Sequence, residues 1–140
     1  GLLAGLILYL RRKRRTREAL RTPEEIAMEE IENLEATGLL EEARYREYVF
    51  GLSLIFRRYL ERRFQVPAAE QTTEEILASL RRAENFDKTL KEAARSFLEE
   101  TDPIKYRGLE PQPAETETWR SRLLSFMERA SETKDIQEAA

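Results

Sequence analysis

The stretch Tyr45–Phe64, "YREYVFGLSLIFRRYLERRF", decides the fold. Its apolar residues are Tyr45, Tyr48, Val49, Leu52, Ile55, Phe56, Tyr59, Leu60 and Phe64, which recur at steps of three and four. That spacing lines one face of an α-helix, and a strand would instead need strict alternation. At a rise of ~1.5 Å per residue the helix spans about 30 Å, the width of a small domain. Its other face carries Arg46, Glu47, Arg57, Arg58, Glu61, Arg62 and Arg63. Exposed pairs such as Arg57 with Glu61 contribute only ~0.2–0.5 kcal/mol, so packing of the apolar face must hold the helix. Gly51 interrupts it at a cost of about 1 kcal/mol relative to Ala, which predicts a close helix crossing rather than a hinge.

Working back towards the N-terminus, "TPEE" sets a helix start. Thr22 is the cap, Pro23 the first helical residue and Glu25 the capping-box partner. Ile26, Ala27, Ile31 and Leu34 form the apolar stripe and Gly38 the stop. "LLEEAR" then turns into the long helix, so the two helices form an antiparallel hairpin.

Upstream of Thr22 the charge is sharply uneven. Arg11 to Arg21 holds seven basic residues against one acid, Glu18, a local +6 that leaves −9 on the rest of a chain whose total is −3. Before it lies "GLLAGLILYL", ten residues with no charge. Ten helical residues rise about 15 Å, whereas a bilayer core needs ~20 residues. A secretory signal puts its basic residues ahead of the apolar run, not after it. The expected reading is the C-terminal half of a transmembrane helix whose upstream part precedes Gly1. Leu2, Leu3, Leu6, Ile7, Leu8, Tyr9 and Leu10 would lie in or at the edge of the membrane. Arg11, Arg12, Lys13, Arg14 and Arg15 would mark the cytoplasmic side by the positive-inside rule. This places the remainder on the cytoplasmic face of an inner membrane. A buried N-terminal helix is the alternative. Nucleic-acid binding is not expected, because the basic run lacks interleaved aromatics and adjoins an acidic domain.

Towards the C-terminus, Pro67 ends the long helix region. Thr72 and Glu75 form a second capping box before Ile76, Leu77 and Leu80. Another helix is expected from about Phe86 to Glu100, carrying Leu90, Ala93, Ala94, Phe97 and Leu98 inward. Pro103, Gly108, Pro111 and Pro113 predict a loop of about a dozen residues, "TDPIKYRGLEPQP". A last helix is expected over Ala114–Ala130, with Trp119, Leu123, Phe126 and Met127 inward. The predicted class is all-α: a compact bundle of about five helices after the end of a transmembrane helix. Residues 1–21 are the anchor and junction, 22–130 the helical domain and 131–140 a frayed tail.

The chemistry expected is correspondingly limited. The chain has no Cys and no His, which removes thiolate chemistry, the commonest zinc ligands and the commonest general base. The paired carboxylates, such as Glu41/Glu42 and Glu99/Glu100, are adjacent residues. On a helix these point ~100° apart, so they read as caps and solvated faces rather than acid–base pairs. No cofactor and no catalytic residue is expected. Lys105, Tyr106 and Arg107 in the expected loop, and the basic strip Arg57, Arg58, Arg62 and Arg63, are candidate contacts for a protein partner. A second reading makes Tyr45, Tyr48 and Tyr59 the lining of a small-molecule sensor cavity.

The string "YREYVFGLSLIFRRYLERRFQVPAAEQTTEEIL" resembles the cytoplasmic helical segment of bacterial membrane proteins of the Bat (aerotolerance) type. The matching positions are Arg57, Tyr59, Leu60, Glu61, Arg63 and Phe64, then Ala68 and Glu70, then Thr72, Thr73, Glu75 and Ile76. "AMEEIENLEATGLLEEARYREY" and the Ile-Lys-Tyr stretch at 104–106 are similar as well, so the resemblance covers roughly Pro23 to Arg107. It implies a non-enzymatic membrane component encoded with MoxR-type AAA+ ATPases and von Willebrand factor A proteins, which would be its partners. It supplies no catalytic residue.

Overall fold

The structure is a computed structural model that describes the backbone of residues 1–83 and 86–139, and their side chains other than those of 15–20 and 134–139. Six α-helices and one 3₁₀ turn make up the described residues: α1 Leu2–Leu20, α2 Pro23–Ala36, α3 Tyr45–Phe64, the turn Ala68–Glu70, α4 Thr73–Arg81, α5 Lys88–Arg107 and α6 Pro113–Ala139. The fold is all-α, and α2 to α6 pack as a compact bundle.

Helix α3 is the centre. It packs against α2, α5, α6 and the 3₁₀ turn, while α4 packs on α5. Tyr48, Val49, Leu52, Phe56, Tyr59 and Leu60 are all at most 1% exposed, and each belonged to the stripe read from the sequence. Around them, Phe56 meets Phe97 at 4.6 Å between ring centroids and Phe126 edge-on at 5.0 Å. Such tilted and T-shaped pairs add to area burial because ring edge meets ring face. At Gly51 a Cβ would fall 2.5 Å from a Leu34 methyl, so α2 crosses α3 where α3 has no side chain.

Both threonine N-caps form, each through the hydroxyl half of the capping box. The Thr22 hydroxyl accepts from Glu25 N at 3.0 Å, and that of Thr72 from Glu75 N at 3.2 Å. A third cap, the Asp87 carboxylate accepting from Leu90 N at 2.7 Å, starts α5 two residues after the expected Phe86.

The end of α5 corrects the expected loop. The helix runs through Pro103 to Arg107, and only Gly108–Gln112 remain as a connection. A proline ring inside a helix removes the bond its nitrogen would give to the carbonyl four residues back, here that of Glu99 on the exposed side. The turn beyond is held by burial of Ile104 and by Arg46, whose Nε donates to Ile104 O at 3.0 Å and Nη2 to Lys105 O at 3.4 Å. These bonds satisfy carbonyls that a helix C-terminus leaves without partners. Gly108, at φ 68°, then ends the helix in the left-handed region.

Two further boundaries differ from expectation. The backbone of α6 stays helical to Ala139, through most of the segment read as a frayed tail; Ala140 lies outside the described residues. At the other end, the apolar stub and the basic cluster form one continuous helix, α1, and Gly1 to Arg14 are exposed. No helix among the described residues is long and apolar enough to cross a membrane. The side chain of Arg15, assigned to the anchor, lies outside the described ones.

Candidate functional site

The four arginines Arg57, Arg58, Arg62 and Arg63 do not form one solvated strip. A helix turns ~100° per residue, so neighbours in sequence separate onto different faces. Arg57 is 5% exposed and points at the junction of α3, the 3₁₀ turn and α5. Its Nη1 donates to Gln71 O at 2.8 Å, and its Nη2 lies 3.5 Å from Asp102 Oδ1. Asp102 in turn accepts from the Thr73 hydroxyl at 2.5 Å. Arg63 is also buried, and its Nη2 donates to Ala130 O on α6 at 2.9 Å. Both therefore tie elements together, which corrects their assignment to an exposed surface. Only Arg58 and Arg62 reach solvent. Both lean on Glu30 of α2, Arg62 at 2.7 Å and Arg58 at 3.5 Å. Local spacing gives no signal for these cross-helix partners, Asp102 and Glu30.

Lys105, Tyr106 and Arg107 occupy the last turn of α5 rather than a loop. Lys105 is half-buried. Burial pushes its ammonium below the usual lysine range, the Arg57 charge adds to that, and Asp102 opposes it. Its Nζ lies 5.5 Å from the centroid of the Tyr106 ring. Tyr106 itself is 75% exposed, and Leu109, across the Gly108 turn, is 54% exposed. With exposed Arg107, these put an aromatic, a cationic and an apolar side chain in solvent around the C-terminal end of α5, a knob in sequence order. Leu109 went unremarked in the sequence, where the only hint is an apolar residue directly after a helix-stopping glycine.

The three tyrosines do not share a cavity. The Tyr48 hydroxyl donates to Glu35 Oε2 at 2.7 Å. Tyr59 is fully buried and meets Phe126 edge-on at 6.2 Å. Burial raises both phenols well above the ordinary tyrosine range, with Glu35 reinforcing this at Tyr48 and Glu24 at Tyr59. Tyr45 lies elsewhere, in a shallow recess with Phe50 and Glu110. The geometric basis for a tyrosine-lined pocket is therefore absent at these residues. A groove of about 680 Å3 runs instead between α5 and α6. Phe56, Phe97 and Phe126 floor it, Ala93, Ser96 and Ser121 line it, and the ion pair of Arg122 with Glu100 crosses its rim. No group of three or more His, Cys, Asp or Glu among the described residues is placed to hold a metal ion.

The class defined by these features is a small all-α bundle with an exposed apolar and basic N-terminal helix. No protein-family model, no curated protein and no solved structure matches the chain. The Bat-type resemblance accordingly stands on its residue string alone.

Proposed function

We propose that the chain is a non-enzymatic, membrane-tethered protein-interaction domain on the cytoplasmic side of an inner membrane. The observation that carries this reading is α1. Leu2, Leu3, Leu6, Ile7, Leu8 and Leu10 are between 43% and 98% exposed, and the same helix passes directly into Arg11–Arg14. The stub need not itself supply the ~20 apolar residues of a full span; it need only continue a longer apolar segment or lie in an interface, with the basic turn drawn to anionic headgroups. Tethering confines the domain to a surface and raises its effective concentration for partners held there.

The partner class follows from the resemblance: a MoxR-type AAA+ ATPase or a von Willebrand factor A protein, in envelope stress or aerotolerance. The contact surface that fits this role is the Tyr106–Arg107–Leu109 knob, because exposed Tyr and Arg beside an apolar residue are the types that dominate interface energies.

Two measurements test the reading. Deleting Gly1–Leu10 should abolish co-flotation with lipid vesicles while the domain keeps its cooperative thermal transition. Loss of that transition would make the stub part of the core and sink the tether. Pull-down of the co-encoded ATPase and von Willebrand factor A proteins should weaken at least tenfold in Tyr106→Ala/Leu109→Ala, the loss of one interface anchor of ~1.4 kcal/mol. Failure of the unaltered chain to retain any of them at low and moderate salt would count against the partner assignment.

A further inference from the structure

Where α1 meets α2 and α3 there is a recess of about 670 Å3. Arg14 lines it from α1, Arg21 from the junction, Arg62 from α3, and Glu29, Glu30 and Asn33 from α2. Three arginines thus face two glutamates, and Arg58, also close to Glu30, adds another positive charge. Glu29 and Glu30 hold Arg21 and Arg62 in place without using the whole of either guanidinium. Arg21 pairs with Glu29 and donates to Glu25 O at 3.3 Å, in both cases through Nη2. Arg62 binds Glu30 through Nη1. A guanidinium has five N–H donors in a planar fork, and a phosphate has the oxygens to take two of them at once. The Asn33 amide adds a neutral group able to donate.

Position matters as much as charge. Arg14 follows Leu10 by one turn of a continuous helix, about 6 Å along its axis. The headgroup layer outside a bilayer's hydrocarbon core is itself about 5–8 Å thick. An α1 inserted to Leu10 would hold the upper rim of the recess at the level of the lipid phosphates.

We infer that this recess binds the phosphate of an anionic lipid headgroup, at a defined site formed by Arg14, Arg21 and Arg62. The inference rests on the membrane reading above. The same chemistry would accept a soluble phosphate ester, and the experiment separates the two sources.

The full 140-residue chain is floated with phosphatidylcholine vesicles, with and without phosphatidylglycerol. The unaltered chain should bind both and gain affinity from phosphatidylglycerol. Arg62→Gln should cut that gain about fivefold, the worth of one basic residue at an anionic surface, and leave binding to phosphatidylcholine unchanged. Glu30→Gln removes a competing carboxylate and should increase the gain by a similar factor. Diffuse attraction to net charge predicts these same two movements, so Arg62→Lys separates the readings: it keeps the charge but loses the planar fork, and should lose the gain as Arg62→Gln does, whereas a gain left unchanged by Arg62→Lys overturns the site. Thermal transitions of all three variants establish that they are folded, and if Arg62→Gln does not fold, Arg62→Lys decides. A gain that no variant alters overturns the site and leaves only diffuse attraction to Arg11–Lys13. Binding to neither vesicle overturns the membrane reading. In that case glycerol 3-phosphate is titrated while the arginine side chains are followed by NMR. Shifts at Arg62 support the recess as a site for soluble phosphate esters, and their absence overturns it too.

Discussion

Arg120 of α6 closes on Glu35 of α2 across 85 positions of sequence, its Nε donating to Glu35 Oε2 at 2.8 Å. The same oxygen accepts from the Tyr48 hydroxyl of α3 at 2.7 Å. One carboxylate therefore clasps three helices. Burial alone would raise the Glu35 pKa, but the hydrogen bonds from Arg120 and Tyr48 outweigh it, and the group sits below its ordinary value of 4.5. The sign follows: a carboxyl depressed in the folded state contributes stability above its unfolded pKa and loses it as pH falls through the folded one. Urea midpoints taken downward from pH 6 should decline as pH passes below about 4.5, and Glu35→Gln should flatten part of that decline. Tyr48→Phe should cost about 1–2 kcal/mol at neutral pH. A Glu35→Gln profile identical in slope to the unaltered chain would contradict the assignment.

Arg57 and Arg58 are neighbours with opposite surroundings. Arg57→Ala leaves the half-buried Asp102 carboxylate without its cation and Gln71 O without its donor, and should cost about 2–4 kcal/mol. Arg58→Ala removes an exposed charge 3.5 Å from a carboxylate and should cost less than about 1 kcal/mol. Equal losses in denaturant unfolding would mean the two face alike.

Gly51 and Leu34 should behave as a coupled pair. Gly51→Ala gains about 1 kcal/mol of helix propensity but drives a Cβ into the Leu34 methyls. The expected net effect is destabilising by about 1 kcal/mol. In a Leu34→Ala background the clash is gone, and the same change should stabilise. The sign reversal in a double-mutant cycle is the measurement; additivity within about 0.3 kcal/mol would place the helices further apart than they are here.

Pro103→Ala distinguishes a helix from a loop. In a helix interior the exchange restores the bond to Glu99 O and should stabilise by up to about 3 kcal/mol. In an irregular segment it would free the unfolded chain and destabilise by roughly 0.4–1 kcal/mol. A fall in thermal midpoint would return residues 103–107 to the loop first expected.

What the residues disclosed was governed by range. The periodicity of Tyr45–Phe64 and the Thr22 and Thr72 caps depend on contacts within four positions, and each found its place. Pro103 misled because its local preference is to break a helix, whereas Arg46, far upstream in α3, holds the following turn from outside. The arginines misled for the same reason. Reading Arg57 and Arg63 as surface follows from charge alone, and what buries them, Gln71, Asp102 and Ala130, comes from other elements. The knob at Tyr106 was half legible: Tyr106 and Arg107 stood out by type, but Leu109 gains meaning only once Gly108 turns the chain beside them.

The continuity of α1 has an angular consequence. A helix turns about 100° with each residue while advancing only ~1.5 Å. If Leu2–Leu10 are gripped at one end, each residue between Leu10 and Arg21 sets the compass bearing of the bundle far more than its height. One residue inserted there would swing the Tyr106 knob by more than a right angle while barely changing its altitude. The number of residues in this helix is therefore an instruction about direction, written in length rather than in side chains.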